Sequence, residues 1–160
     1  MPSRAMSWIV FAALCLGAGA SGGWVTKTSV KNWYPQLVKP AGTPPSWVFG
    51  PVWSVLYLLM ATAAWVVWQE RRVDDVSLPL ALFFGQLILN TAWSFLFFGL
   101  RRPGLALIEI VILFLAIALT ALSFLGCSRA AFWLMTPYLG WVGYATYLNL
   151  GIWRLNRSVA

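Results

Sequence analysis

Five long stretches of this chain carry almost no charge: Ala5–Thr26, Pro40–Gln69, Val76–Leu100, Pro103–Ser128 with a single acid inside, and Ala130–Trp153. Crossing about 30 Å of hydrocarbon takes about 20 helical residues, and each stretch is at least that long. A chain patterned in this way is expected to be an all-α membrane protein, a single five-transmembrane-helix bundle over residues 1–160. The expected spans are about 6–25, 46–69, 77–99, 103–125 and 131–153, with a loop over 26–45. A membrane barrel would need polar residues at alternate positions, and runs such as Val111–Leu119 offer none.

The composition points the same way, with 61% hydrophobic and 9% charged residues where soluble domains carry about 25% charge. Arg4, the apolar run Trp8–Leu16 and the small residues after it have the features of a cleavable signal peptide. The run nevertheless continues through Trp24 and Val25, which makes it a full span. Prolines sit near the starts of the later stretches, at 45, 51, 79 and 103, where a missing N–H costs little. Pro137 falls deeper and is expected to kink the fifth helix or to mark a later start.

A net charge of +7 raises the question of nucleic acid, but the basic residues lie in the short gaps between apolar runs. That placement is the signature of juxtamembrane anchors, and no nucleic-acid partner is expected. Lys27, Lys31, Lys39, Arg101, Arg102, Arg154 and Arg157 fall on one side; Arg4, Arg71, Arg72 and Arg129 fall on the other. The positive-inside rule then puts the C-terminus in the cytoplasm and the N-terminus outside.

The chain has no histidine, which excludes an imidazole base, a Ser-His-Asp triad and a His-held zinc or haem. Cys15 and Cys127 are too far apart for a CxxC pair, and no metal site is expected. No acid–base pair or nucleophile independently supports catalysis.

Inside lipid the informative side chains are those that are costly to place there. Gln86, Asn90, Trp93, Ser94 and Phe97 share one face of the third helix. An amide at that depth serves either as glue between helices or as a polar contact in an aromatic pocket. Trp53, Tyr57, Ala61, Ala64 and Trp68 line one face of the second helix, and Tyr138, Trp141, Ala145 and Leu148 one face of the fifth. Trp8, Trp24, Trp33, Trp68 and Trp153 lie near span ends, where an aromatic belt accounts for them. Trp53, Trp93 and Trp141 lie deeper. Glu109 is placed either to snorkel or pair with Arg101 or Arg102, or to face the bundle interior. Ala81 and Gly85, and Gly19 and Gly23, are small-xxx-small pairs suited to helix contact.

Three ordered blocks carry a resemblance. Trp33-Tyr-Pro-Gln-Leu-Val-Lys-Pro with Pro44-Pro-Ser-Trp-Val-Phe-Gly-Pro-Val-Trp, then Gln86 to Gly99, then Pro137 to Arg154, resemble the TspO family of tryptophan-rich sensory proteins. That family includes the mitochondrial translocator protein, also called the peripheral benzodiazepine receptor. The resemblance implies a homodimer that binds porphyrins such as protoporphyrin IX and haem, and benzodiazepine-type ligands, and acts as a sensor or transporter in tetrapyrrole metabolism or stress response. It requires no cofactor; porphyrin enters as a ligand. The implied alternatives are light-dependent porphyrin degradation and transport of sterols or other apolar small molecules. Carried over by position, the pocket falls on Tyr34, Pro44, Trp53, Tyr57, Asn90, Trp93, Ser94, Trp141 and Ala145, with Ala81 and Gly85 as the dimer contact on the third helix. The first loop, over 26–45, would act as a lid. The membrane is expected to be bacterial. One departure concerns cholesterol: Leu150 stands after Leu148-Asn149 where the mammalian sterol pattern has tyrosine, and six residues separate Tyr147 from Arg154.

Overall fold

The structure is a computed structural model that describes residues 3–71 and 75–157. Its long helices are α1 (Arg4–Asn32), α2 (Ser46–Glu70), α3 (Ser77–Ser94), α4 (Pro103–Cys127) and α5 (Arg129–Leu155). A 3-10 turn at Tyr34–Gln36 lies between α1 and α2, and α3 runs on into a π-helical turn at Phe95–Gly99. There is no strand among the described residues. The bundle is a multi-pass membrane protein. Helices α1 to α4, counting the π turn with α3, are long and apolar enough to cross a bilayer.

Helix α5 is as long but less apolar, because it carries Tyr138, Thr146 and Asn149 on surfaces turned into the bundle. It packs along α4 and α2 and completes the five-helix arrangement. Its path is continuous through Pro137, so the later helical start does not occur. Pro137 has no N–H for the carbonyl of Trp133, and the Thr136 hydroxyl donates to that oxygen at 2.8 Å. The same device recurs along the spans. Thr26, Ser54, Thr62, Thr91, Thr120 and Thr146 each donate to the carbonyl four residues earlier, which satisfies those hydroxyls within their own helices.

Small side chains set the core spacing. Ala61, Ala63 and Ala64 of α2 are fully buried and let α2 pack closely against its neighbours. Phe83 stacks on Phe124 across the α3–α4 contact, with ring centroids 6.0 Å apart. The outer faces carry Ile88, Ile108, Leu119 and Leu122, all more than half exposed and suited to acyl chains.

The first loop is shorter than the charge pattern suggests. Helix α1 continues to Asn32, so residues 26–32 are helical and the loop proper begins at Trp33. Lys27 and Lys31 mark where lipid ends, whereas the helix is carried further by Ser29, whose hydroxyl donates to the Phe98 carbonyl at 2.6 Å. From there the loop is fastened to α5. Tyr144 donates to the Gly42 carbonyl and Tyr147 to that of Ala41. Asn156 accepts from the Val38 N–H at 3.0 Å and donates to its carbonyl at 2.9 Å. Gly151 leaves room for Pro40, which would stand 2.6 Å from a Cβ there.

Candidate functional site

Beneath that loop lies a cavity of about 600 Å³, within the range of small-molecule sites. Helices α1, α2 and α5, the end of α3 and Tyr34 enclose it. Its rings come from α2, the end of α3 with the π turn, α5 and Tyr34, whereas α1 contributes small, aliphatic and polar residues. Trp53 of α2 packs against Tyr57 at 5.6 Å and Tyr138 at 6.2 Å between centroids. Trp93 stacks on Phe97 at 5.3 Å, and its indole donates to Asn149 at 3.1 Å. Asn149 in turn donates to the Pro103 carbonyl at 2.7 Å, which fixes Trp93 to the start of α4. Trp141 meets Phe49 edge-on at 6.1 Å, while its indole N–H is buried without a partner.

Of the positions expected from sequence, Tyr34, Trp53, Tyr57, Trp93, Ser94, Trp141 and Ala145 are on the wall. Asn90 and Pro44 are not. Asn90 is fully buried behind the wall, where it accepts from Tyr57 at 3.3 Å and donates to the Tyr138 hydroxyl at 2.7 Å. Tyr138 donates onward to Gln86 at 2.9 Å. The amide is therefore glue joining α2, α3 and α5, and Tyr57 is the member of this chain that reaches the cavity.

Glu109 does not snorkel and pairs with neither Arg101 nor Arg102. Both its oxygens are buried without a hydrogen-bond partner. The buried stripe of α4 runs through Ala106, Glu109 and Ile110 to Leu113, and that periodicity points the carboxyl inward.

Some wall residues, Phe98 and Gly22 among them, carry no sequence signal of their own. The π turn brings Phe97 and Phe98 to the cavity together, and such turns gather at functional sites. Gly22 and Gly23 of α1 also line it, while Gly19 admits the Tyr57 ring, which would lie 2.5 Å from a Cβ there. Gly19 thus serves an approach within its own chain. Ala81 and Gly85, by contrast, lie exposed on the outer face of α3.

The rim is cationic. Lys27 and Lys31 line the cavity, and no acid does among the described residues. Lys39 is engaged elsewhere, over the Tyr34 ring at 4.9 Å and donating to the Leu37 carbonyl. Burial, with a smaller contribution from Tyr144, pushes the Tyr34 phenol above its usual range, so it faces the cavity as a neutral hydroxyl.

The sequence profile of the TspO/MBR family matches residues 11–154. The chain belongs to that family. It is 42% identical to the tryptophan-rich protein TspO of Chlorobaculum tepidum over 144 residues, covering 89% of this chain and 91% of the relative. It is 41% identical to the translocator protein of Homo sapiens, covering 79% and 76%. The tryptophan-rich sensory protein of Cereibacter sphaeroides is 36% identical, with 94% of each chain covered. The chain is thus a TspO/MBR member, from a family of membrane proteins whose members are named as sensors and translocators.

Proposed function

We propose that this TspO/MBR protein binds a tetrapyrrole in the cavity and acts as a sensor or transporter for it. The observation that carries this reading is a wall of three deep tryptophans with two lysines and no acid at its rim. A porphyrin is a flat apolar macrocycle with anionic arms. Trp53, Trp93 and Trp141 offer faces and edges for stacking, and Lys27 and Lys31 pair with carboxylates. Benzodiazepine-type ligands, smaller and also apolar, suit the same wall.

The wall contains no histidine, cysteine or methionine, the Tyr57 hydroxyl is already bonded to Asn90, and burial keeps the Tyr34 phenol neutral. Iron therefore gains little here, and metal-free protoporphyrin IX is expected to bind within about tenfold of haem, a difference of about 1.4 kcal/mol. Titration of each into the purified protein, followed by tryptophan fluorescence, measures both. An unquenched signal contradicts the site, and a preference for haem far beyond tenfold contradicts binding by shape.

The exposed pair Ala81 and Gly85 is the contact through which two copies associate on α3, since small residues let helices approach closely. Ala81→Leu with Gly85→Leu is expected to convert the dimer to monomer in sedimentation of the detergent complex. Unchanged sedimentation places the contact elsewhere.

A further inference from the structure

The ends of the bundle differ in charge. The end holding the first loop carries Lys27, Lys31, Lys39, Arg101, Arg102, Arg154 and Arg157, whereas the acids Glu70 and Asp75 lie at the opposite end. Four of those cations converge where α4 begins and α5 ends. Asn149 ties α5 to the Pro103 carbonyl at 2.7 Å, and the missing Cβ of Gly104 lets the Trp153 indole lie against the first turn of α4. The Arg157 guanidinium sits 4.1 Å from the centre of the Trp153 ring. Arg101 and Arg102 immediately precede α4, and Arg154 occupies the last turn of α5. All four arginines are exposed, and none has an acidic partner among the described residues. The nearest acid, Glu109, is buried further along α4. The first turn of α4 has neither a side-chain cap nor an acid, so its helix dipole adds positive potential here.

We propose that this junction binds the phosphate of an anionic membrane lipid. Charge complementarity and depth together select that occupant. Guanidinium groups match phosphate oxygens with paired hydrogen bonds. Leu100, Leu105 and Leu155, 63%, 46% and 50% exposed, border the same arginines and offer apolar surface to the attached acyl chains. A free anion would use the arginines and leave these leucines without a role. Arg71 and Arg129, at the other end, share their surroundings with acids or stand singly.

The test is native mass spectrometry of the full chain released from detergent with equal amounts of phosphatidylglycerol and phosphatidylcholine. The wild type is expected to retain phosphatidylglycerol preferentially. Arg154→Gln and Arg157→Gln should each lower that retention by about fivefold, as removing one interfacial cation does. Both positions are exposed at the end of α5, and an unchanged helical circular dichroism spectrum confirms that the variants are folded. Arg129→Gln should leave retention unchanged. Equal retention of the two lipids, an Arg129→Gln loss matching that of Arg154→Gln, or displacement of phosphatidylglycerol by inorganic phosphate would each overturn the proposal.

Discussion

Replacing Trp53 or Trp141 by alanine is expected to weaken protoporphyrin IX binding by about 10- to 100-fold, the equivalent of about 1.4 to 2.8 kcal/mol. Each indole supplies a large apolar surface to the cavity, and burying an aromatic side chain contributes about 1.5–3 kcal/mol. Trp53 also supports Tyr57 and Tyr138, so Trp53→Phe is the variant that separates stacking area from packing; it should retain most of the affinity. Trp24, 79% exposed on the outside of α1, provides the control, and Trp24→Ala should bind as the wild type does. Fluorescence titration of the set measures these effects. If Trp53→Ala and Trp141→Ala both bind with wild-type affinity, the ligand is somewhere else.

Asn90→Leu is expected to have the largest effect on stability. Asn90 joins Tyr57 of α2 to Tyr138 of α5 from its place on α3; its loss strands the Tyr57 hydroxyl in the bundle interior and leaves the Tyr138 hydroxyl only its bond to Gln86. A stranded buried polar group costs about 1–3 kcal/mol in water-soluble proteins. Interhelical bonds in membranes average about 0.6 kcal/mol, because the separated helices find other partners. With two bonds broken, a loss of about 1–3 kcal/mol follows, read as a lower midpoint of denaturation by sodium dodecyl sulfate in mixed micelles. A variant as stable as the wild type would show that the chain of hydroxyls and amides is incidental to packing.

The helical bundle was legible because lipid leaves a blunt mark on sequence: charge disappears for the length of a span and returns at its ends. That mark reports depth in the bilayer, not helix boundaries. It therefore failed at Thr26, where the lysines begin and α1 nevertheless continues to Asn32 on the strength of Ser29 bonding across to Phe98. Helical periodicity placed Trp53, Trp93 and Trp141 on inward faces and the cavity gathers all three, since one side of a helix is all that periodicity has to specify. It could not separate Asn90 from the wall. A residue one side chain behind a surface shares a helix face with the residues that form it, and only the Tyr57 and Tyr138 hydroxyls, from other helices, reveal the difference.

The contribution of Phe98 was hidden for another reason. A π turn shifts the register of the chain, so it brings Phe98 to the cavity beside Phe97, which α-helical spacing had placed on the Trp93 face. The ties of Tyr144, Tyr147 and Asn156 to the first loop join segments more than 100 positions apart and leave no local pattern. Glu109 was the reverse case: the stripe of α4 turned it inward, although two arginines stood close in sequence.

These ties bear on how the site works. The loop is held to α5 by hydrogen bonds to the carbonyls of Ala41, Gly42 and Val38, and it is the segment that brings Tyr34 to the cavity. Trp93 is fixed through Asn149 to the start of α4, which connects the cavity to the helix junction where the arginines gather.

A structure of the protein with protoporphyrin IX in lipid tests most directly whether a tetrapyrrole binds inside the bundle. The macrocycle should lie among Trp53, Trp93 and Trp141 with its carboxylates toward Lys27 and Lys31. A macrocycle lodged on the outer, lipid-facing surface, with the cavity empty, would contradict it.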